Sequence, residues 1–122
     1  MIIIDYKDAR PIYEQIVDRF EQLILRGVLE TDGQMPSVRT LAMELSINPN
    51  TIQRAYAELE RRGFMYSVKG RGRFVAYSEK LLAGKRAELV LKLKNVFAEA
   101  NELGISKDEL LAAVAEGDPL ND

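Results

Sequence analysis

Between residues 36 and 77 the chain leaves little room for anything but two short helices and a hairpin. Ser37 follows Pro36 and is a good N-cap, so a short helix is predicted over 38–45, burying Leu41, Ala42 and Leu45. Ser46 and Ile47 make a tight turn. Asn48 then caps another helix, with Pro49 at its first position, where the missing N–H costs nothing. That helix buries Ile52, Ala55, Tyr56 and Leu59. It ends at Gly63, after Arg61 and Arg62, whose charges suit the negative end of the helix dipole. Phe64 to Val68 reads as a strand, Lys69-Gly70-Arg71-Gly72 as a turn and Arg73 to Tyr77 as a returning strand. Two short helices a few residues apart, followed by a hairpin, form the winged helix-turn-helix pattern.

Both flanks are helical in pattern. Asp8 is placed to cap a helix that starts near Arg10, with Pro11 in its first turn. Ile12, Ile16, Phe20, Leu23 and Ile24 recur at steps of four and three, which carries the helix to about Arg26, where Gly27 stops it. Residues 1–4 are expected as a short strand and 30–36 as a loop. After Ser78 a second long amphipathic pattern runs over 79–102, through Leu82, Leu89, Leu93, Val96, Phe97 and Ala100. Gly104 breaks it. Ser106-Lys107-Asp108-Glu109 is a capping box for a last helix over 107–116, closed by Gly117 and Pro119. The expected fold is mostly α with a small β-hairpin: a winged helix-turn-helix over 1–77 and a helical region over 78–122.

Composition narrows the chemistry. The chain is 47% apolar and 30% charged, which fits a folded protein. Its apolar runs fall far short of the roughly 18 residues a membrane span requires. Met-Ile-Ile-Ile is too short for a signal peptide, so a cytoplasmic protein with no membrane partner is expected. With no Cys and no His, disulfides, Cys or His metal ligands, Cys nucleophiles and His bases are all absent. Carboxylates, Ser, Thr and Lys form no recognisable catalytic set, so neither an enzyme nor a cofactor is expected. The net charge of −2 argues weakly against nucleic acid, but the charge is unevenly spread. Over 54–77, Arg54, Arg61, Arg62, Lys69, Arg71 and Arg73 face only Glu58 and Glu60, a local +4, whereas 78–122 carries −3.

Three stretches, PSVRTLAMEL (36–45), NPNTIQRAYAELERRGF (48–64) and KGRGRFV (69–75), resemble the GntR family of bacterial regulators. The leading PIYEQIVDRFEQLILRG (11–27) is similar to that family's first helix, so the resemblance covers about 10–77. The short tail resembles the YtrA-like subfamily, in which a helical C-terminal region serves dimerisation. The resemblance implies a DNA-binding transcription regulator, a repressor in most such cases, often of operons for ABC transporters. It also implies that Arg39, which matches the Arg of the family's P-S-x-R motif, contacts DNA.

The residues themselves suggest how such binding would work. A helix N-terminus aimed at the major groove offers N–H groups to phosphate and short polar side chains to base edges. Asn48, Asn50, Thr51, Gln53 and Arg54 are the polar residues of the first two turns of the predicted recognition helix. Asn and Gln suit adenine and Arg suits guanine, but Asn48 and Thr51 also serve as plain helix-start residues. Ser37 is expected as a cap, with a phosphate contact as a second role, and Arg39 has a surface salt bridge as its alternative. In the wing, glycines Gly70 and Gly72 allow close backbone approach, and Lys69, Arg71 and Arg73 favour the negative potential of the minor groove. The alternative there is an ordinary turn with solvated charges. Leu82, Leu89, Leu93, Val96 and Phe97, with Leu110 of the last helix, would pair with a second copy, giving a homodimer and a palindromic double-stranded operator. A small-molecule effector seated at the dimer interface, or a winged helix that binds protein instead of DNA, stand as alternatives.

Overall fold

The computed structural model describes residues 2–117. Its elements are α1 (Ile12–Leu25), α2 (Val38–Leu45), α3 (Pro49–Arg61), β1 (Met65–Val68), β2 (Gly72–Val75), α4 (Glu79–Glu102) and α5 (Lys107–Ala115). β1 and β2 pair antiparallel, Met65 with Val75 and Val68 with Gly72. This is the expected winged helix-turn-helix followed by two C-terminal helices. The chain divides into two compact units between Leu82 and Ala83.

In the first unit, the apolar stripes set by sequence spacing converge on one core. α1 contributes Ile16, Val17, Phe20 and Ile24, α2 contributes Leu41 and Ala42, and α3 contributes Ile52, Ala55, Tyr56 and Leu59. Phe64, Met65 and Val75 close it from the hairpin side. Phe20 and Tyr56 meet edge to face, their centroids 5.9 Å apart, an arrangement favoured by the ring quadrupoles. Leu81, at the start of α4, packs partly against the same core.

Several local expectations are corrected. Residues 2–4 form no strand, and Met1 lies outside the described residues; Ile2 is instead buried in the core. The adjoining segment is held by Gln15, which is itself buried: its Oε1 accepts from the Asp5 N–H at 2.9 Å and its Nε2 donates to the Asp5 carbonyl at 3.0 Å. Asp8 does not cap α1. Its carboxylate accepts from the Arg10 backbone N–H and pairs with the Arg10 guanidinium, so the helix starts two residues later, with Pro11 at the N-cap position. The strands are shorter than expected. Phe64 turns inward with its N–H donating to the Leu59 carbonyl, and β2 begins at Gly72 and ends at Val75. The expected loop over 30–36 contains an extended stretch that pairs with β2, through a bridge between Gln34 and Phe74.

A buried carboxylate joins α1 to α3. Glu21 is 2% exposed and accepts from Arg62 Nη1 at 3.0 Å. Arg62 also reaches Glu58, which takes a second, shorter contact from Arg61. The hydrogen bond from Arg61, supported by Arg62, pulls the Glu58 carboxyl down to about 2. Breaking one side of a buried pair leaves an uncompensated charge, so this contact fixes how the two helices meet.

The second unit is small. The Ser106 hydroxyl accepts from the Glu109 N–H at 3.1 Å, the cap expected for α5. The Ile105 N–H donates to the Ala100 carbonyl and Lys107 lies over the Phe97 ring, which folds α5 back against the end of α4. Pro119, expected beyond α5, lies outside the described residues. Ala100 is buried, while Phe97, Ile105 and Leu110 are half-buried.

Phe20→Ala removes the ring that meets Tyr56 in a fully buried site. We expect it to lower unfolding free energy by about 3–5 kcal/mol, measured by urea denaturation.

Candidate nucleic-acid interface

α3 presents its two sides unequally because its apolar residues recur on one face. Ile52, Ala55, Tyr56 and Leu59 point into the core, which leaves Asn50, Gln53 and Arg54 exposed and Thr51 half-buried. At its start, Asn48 Oδ1 accepts from the Asn50 N–H at 2.8 Å. The amide nitrogen of Asn48 therefore faces solvent with its oxygen already used. Pro49 follows at the first helical position, as expected.

α2 opens in the same manner. Ser37 Oγ accepts from the Thr40 N–H at 3.0 Å and donates its proton to Thr40 Oγ1 at 2.8 Å. Both capacities of this hydroxyl are engaged locally, which makes Ser37 foremost a cap. Arg39, two residues on, is exposed. α2 and α3 pack on each other, so both helix starts belong to one small scaffold.

The basic residues separate into distinct groups. Lys69 and Arg71 are exposed on the hairpin tip, flanked by Gly70 and Gly72, both at positive φ. Arg73 is half-buried. Its guanidinium lies 5.6 Å from the Tyr56 ring centroid and its Nε is buried without a hydrogen-bond partner. Arg54 lies over the Tyr13 ring of α1, its Cζ 3.8 Å from the centroid, a contact that holds its charge over an aromatic face. Arg61 and Arg62 are bound to Glu58 and Glu21 at the far end of α3. The local +4 of residues 54–77 is thus not a uniform patch. Within it, Arg54, Lys69, Arg71 and Arg73 take part in none of these ion pairs, and neither does Arg39 of α2.

Five residues that sequence reasoning did not single out, Tyr13, Asp32, Gln34, Tyr66 and Phe74, help shape this surface. Tyr13 carries Arg54. Tyr66 stacks on Phe74 at 5.6 Å and donates to Asp32 Oδ1 at 2.8 Å. Gln34 Nε2 donates to the Arg71 carbonyl at 3.0 Å. The available signal was the buried Met35 before Pro36, an inward position in a segment otherwise polar. Among the described residues no group of three or more acidic side chains gathers into a metal site.

The geometry is that of known regulators. The family model described as bacterial regulatory proteins, gntR family, matches residues 12–75. The HTH-type transcriptional repressor YtrA of Bacillus subtilis (strain 168) is 38% identical over 112 residues, which is 90% of this chain and 86% of that one. A GntR family transcriptional regulator from Listeria monocytogenes has a similar structure, with a TM-score of 0.75, 36% identity, and coverage of 94% of this chain and 100% of that one. AraR(DBD), whose structure is in complex with operator ORE1, matches 62% of this chain and 93% of its own with a TM-score of 0.53 and 28% identity.

The Asn48 cap makes a separable prediction. Asn48→Ala should cost about 1 kcal/mol in thermal or chemical unfolding, while Asn48→Asp, which keeps the acceptor, should leave stability unchanged or raise it.

Proposed function

The chain belongs to the GntR family of bacterial regulatory proteins, DNA-binding transcription regulators, and from that membership we propose that it represses transcription as a homodimer on an inverted-repeat operator. The observation that carries this reading is the surface formed by the exposed polar start of α3, the exposed Arg39 and the basic wing tip. α3 enters the major groove. Asn50 and Gln53 read adenine edges, and the Asn48 amide and Thr51 lie at the backbone or the first base. Arg39 and Arg54 position the helix against phosphates, and Ser37 supports them as the cap of α2. Lys69, Gly70 and Arg71 follow the minor groove, with Arg73 behind them.

Dimerisation is assigned to the tail. Leu89, Leu93 and Val96 are 62%, 52% and 50% exposed in the single chain. Apolar residues left this open along one helix call for a partner, and a second copy supplies the matching stripe. Leu82 extends the stripe at one end, and Phe97 and Leu110 support it at the other. Two copies bring two recognition helices, and two-fold symmetry makes the operator an inverted repeat. The YtrA-like resemblance makes a transporter operon the target we favour. No helix among the described residues is long and apolar enough to cross a membrane, which is consistent with the cytoplasmic location we assign.

The deciding experiment is selection from a random-sequence duplex library, followed by salt titration on the enriched duplex. The expected result is an inverted repeat whose affinity falls linearly with salt on logarithmic axes. Arg39→Ala and Arg71→Ala should each weaken binding about tenfold or more and flatten the salt slope by about 1. Library selection without enrichment, and identical weak binding by both variants, would instead indicate a winged helix that binds protein.

The dimer is tested separately. Leu93→Asp should convert the protein to a monomer in sedimentation velocity while leaving the first unit folded by circular dichroism. A dimer that survives the change would exclude this face.

A further inference from the structure

We infer that Gln34 is a positioning residue for the wing, holding the hairpin tip in register with the start of α2. The inference rests on the DNA-binding reading for its consequence, but on geometry for its content. A hairpin of two four-residue strands is marginal in water by itself. Here a third extended stretch supports it. The Asp32 N–H donates to the Val75 carbonyl, the Val75 N–H to the Gly33 carbonyl and the Met35 N–H to the Arg73 carbonyl, each at 2.8 Å. This backbone ladder stops at Arg73, short of the tip.

The Gln34 side chain carries it one step further. Its amide donates to the Arg71 carbonyl at 3.0 Å, a contact spanning 37 residues of sequence. Gly72, between the ladder and the tip, makes the space for it. A Cβ on Gly72 would stand 3.0 Å from Gln34 Nε2, and its φ of +117° is one that L side chains rarely adopt. The backbone conformation favours glycine at 72, and a Cβ there would also push the amide end of Gln34 aside by a few tenths of an ångström.

The other end of the stretch is fixed as well. Met35 is buried, and the Pro36 carbonyl that follows accepts from the Tyr56 hydroxyl of α3 at 2.8 Å. Ser37 and α2, with Arg39, come next. One short segment thus ties the wing tip to the opening of α2 and to the middle of α3. Gln34 itself is exposed, so its loss opens no cavity in the core.

The test is Gln34→Met, which keeps the length and removes the donor. Amide hydrogen exchange on the free protein should be about three- to tenfold faster at Arg71 and Gly72, with the thermal midpoint unchanged. Affinity for the duplex that wild type enriches from a random library should fall by a similar factor, and the salt slope should flatten as in Arg71→Ala. In an Arg71→Ala background the substitution should add little, because both changes act through one contact. Gly72→Ala, which crowds the amide from the other side, should speed the same amides. Unchanged exchange would overturn the inference, as would faster exchange with wild-type affinity and slope. If wild type enriches no duplex, the DNA-binding reading fails, and the exchange result alone decides whether Gln34 holds the wing.

Discussion

The phenol of Tyr56 sits where the parts of the first unit meet. Its ring is fully buried, takes Phe20 of α1 on its edge and carries the Arg73 guanidinium of β2 nearby. Its hydroxyl donates to the Pro36 carbonyl just before α2. Burial pushes that hydroxyl well above the usual tyrosine range, opposed by the neighbouring Arg73 charge. It therefore remains a protonated donor throughout the neutral range. A buried hydroxyl without a partner would be costly, so the chain before α2 is held where that carbonyl meets it. Through one side chain, α1, the approach to α2, α3 and the wing acquire fixed relations.

Charge follows a similar logic of place over count. The net −2 says little about what the molecule meets, and even the local +4 overstates the exposed positive surface. Arg61 and Arg62 pair with Glu58 of α3 itself, and Arg62 also pairs with the buried Glu21 of α1. Arg54 rests on Tyr13. Arg39 and, at the hairpin tip, Lys69 and Arg71 are exposed and take part in none of these ion pairs. Long-range attraction to a polyanion depends on that distribution.

Periodicity and capping are local properties, and where they governed, the sequence was readable. The core face of α3, its Asn48 cap and Pro49 start, the Ser37 cap of α2, the span of α4 and the Ser106 cap of α5 all appear where the residues placed them. The departures have physical causes of their own. Asp8 was available as a cap, but the neighbouring Arg10 competes for its carboxylate. Residues 2–4 have strand-like side chains but no strand beside them, so Ile2 fills the core instead. The stretch around Gln34 has too few residues to show alternation, and its pairing partner lies across the whole helix-turn-helix. Met35 beside it marks an inward position, but no neighbouring residue identifies the partner strand.

The sequence alone determined which segments become helix, where all but α1 start, and which faces turn inward, because helix periodicity and caps are decided within a few residues of each position. The family blocks in order likewise pointed to the regulator class from sequence alone. The tertiary structure decided which arginines are bound and which are open, how a polar loop comes to pair with the wing through a single bridge, and why position 72 favours glycine. Those outcomes depend on groups distant along the chain meeting at about 3 Å, a distance only the packed core can impose.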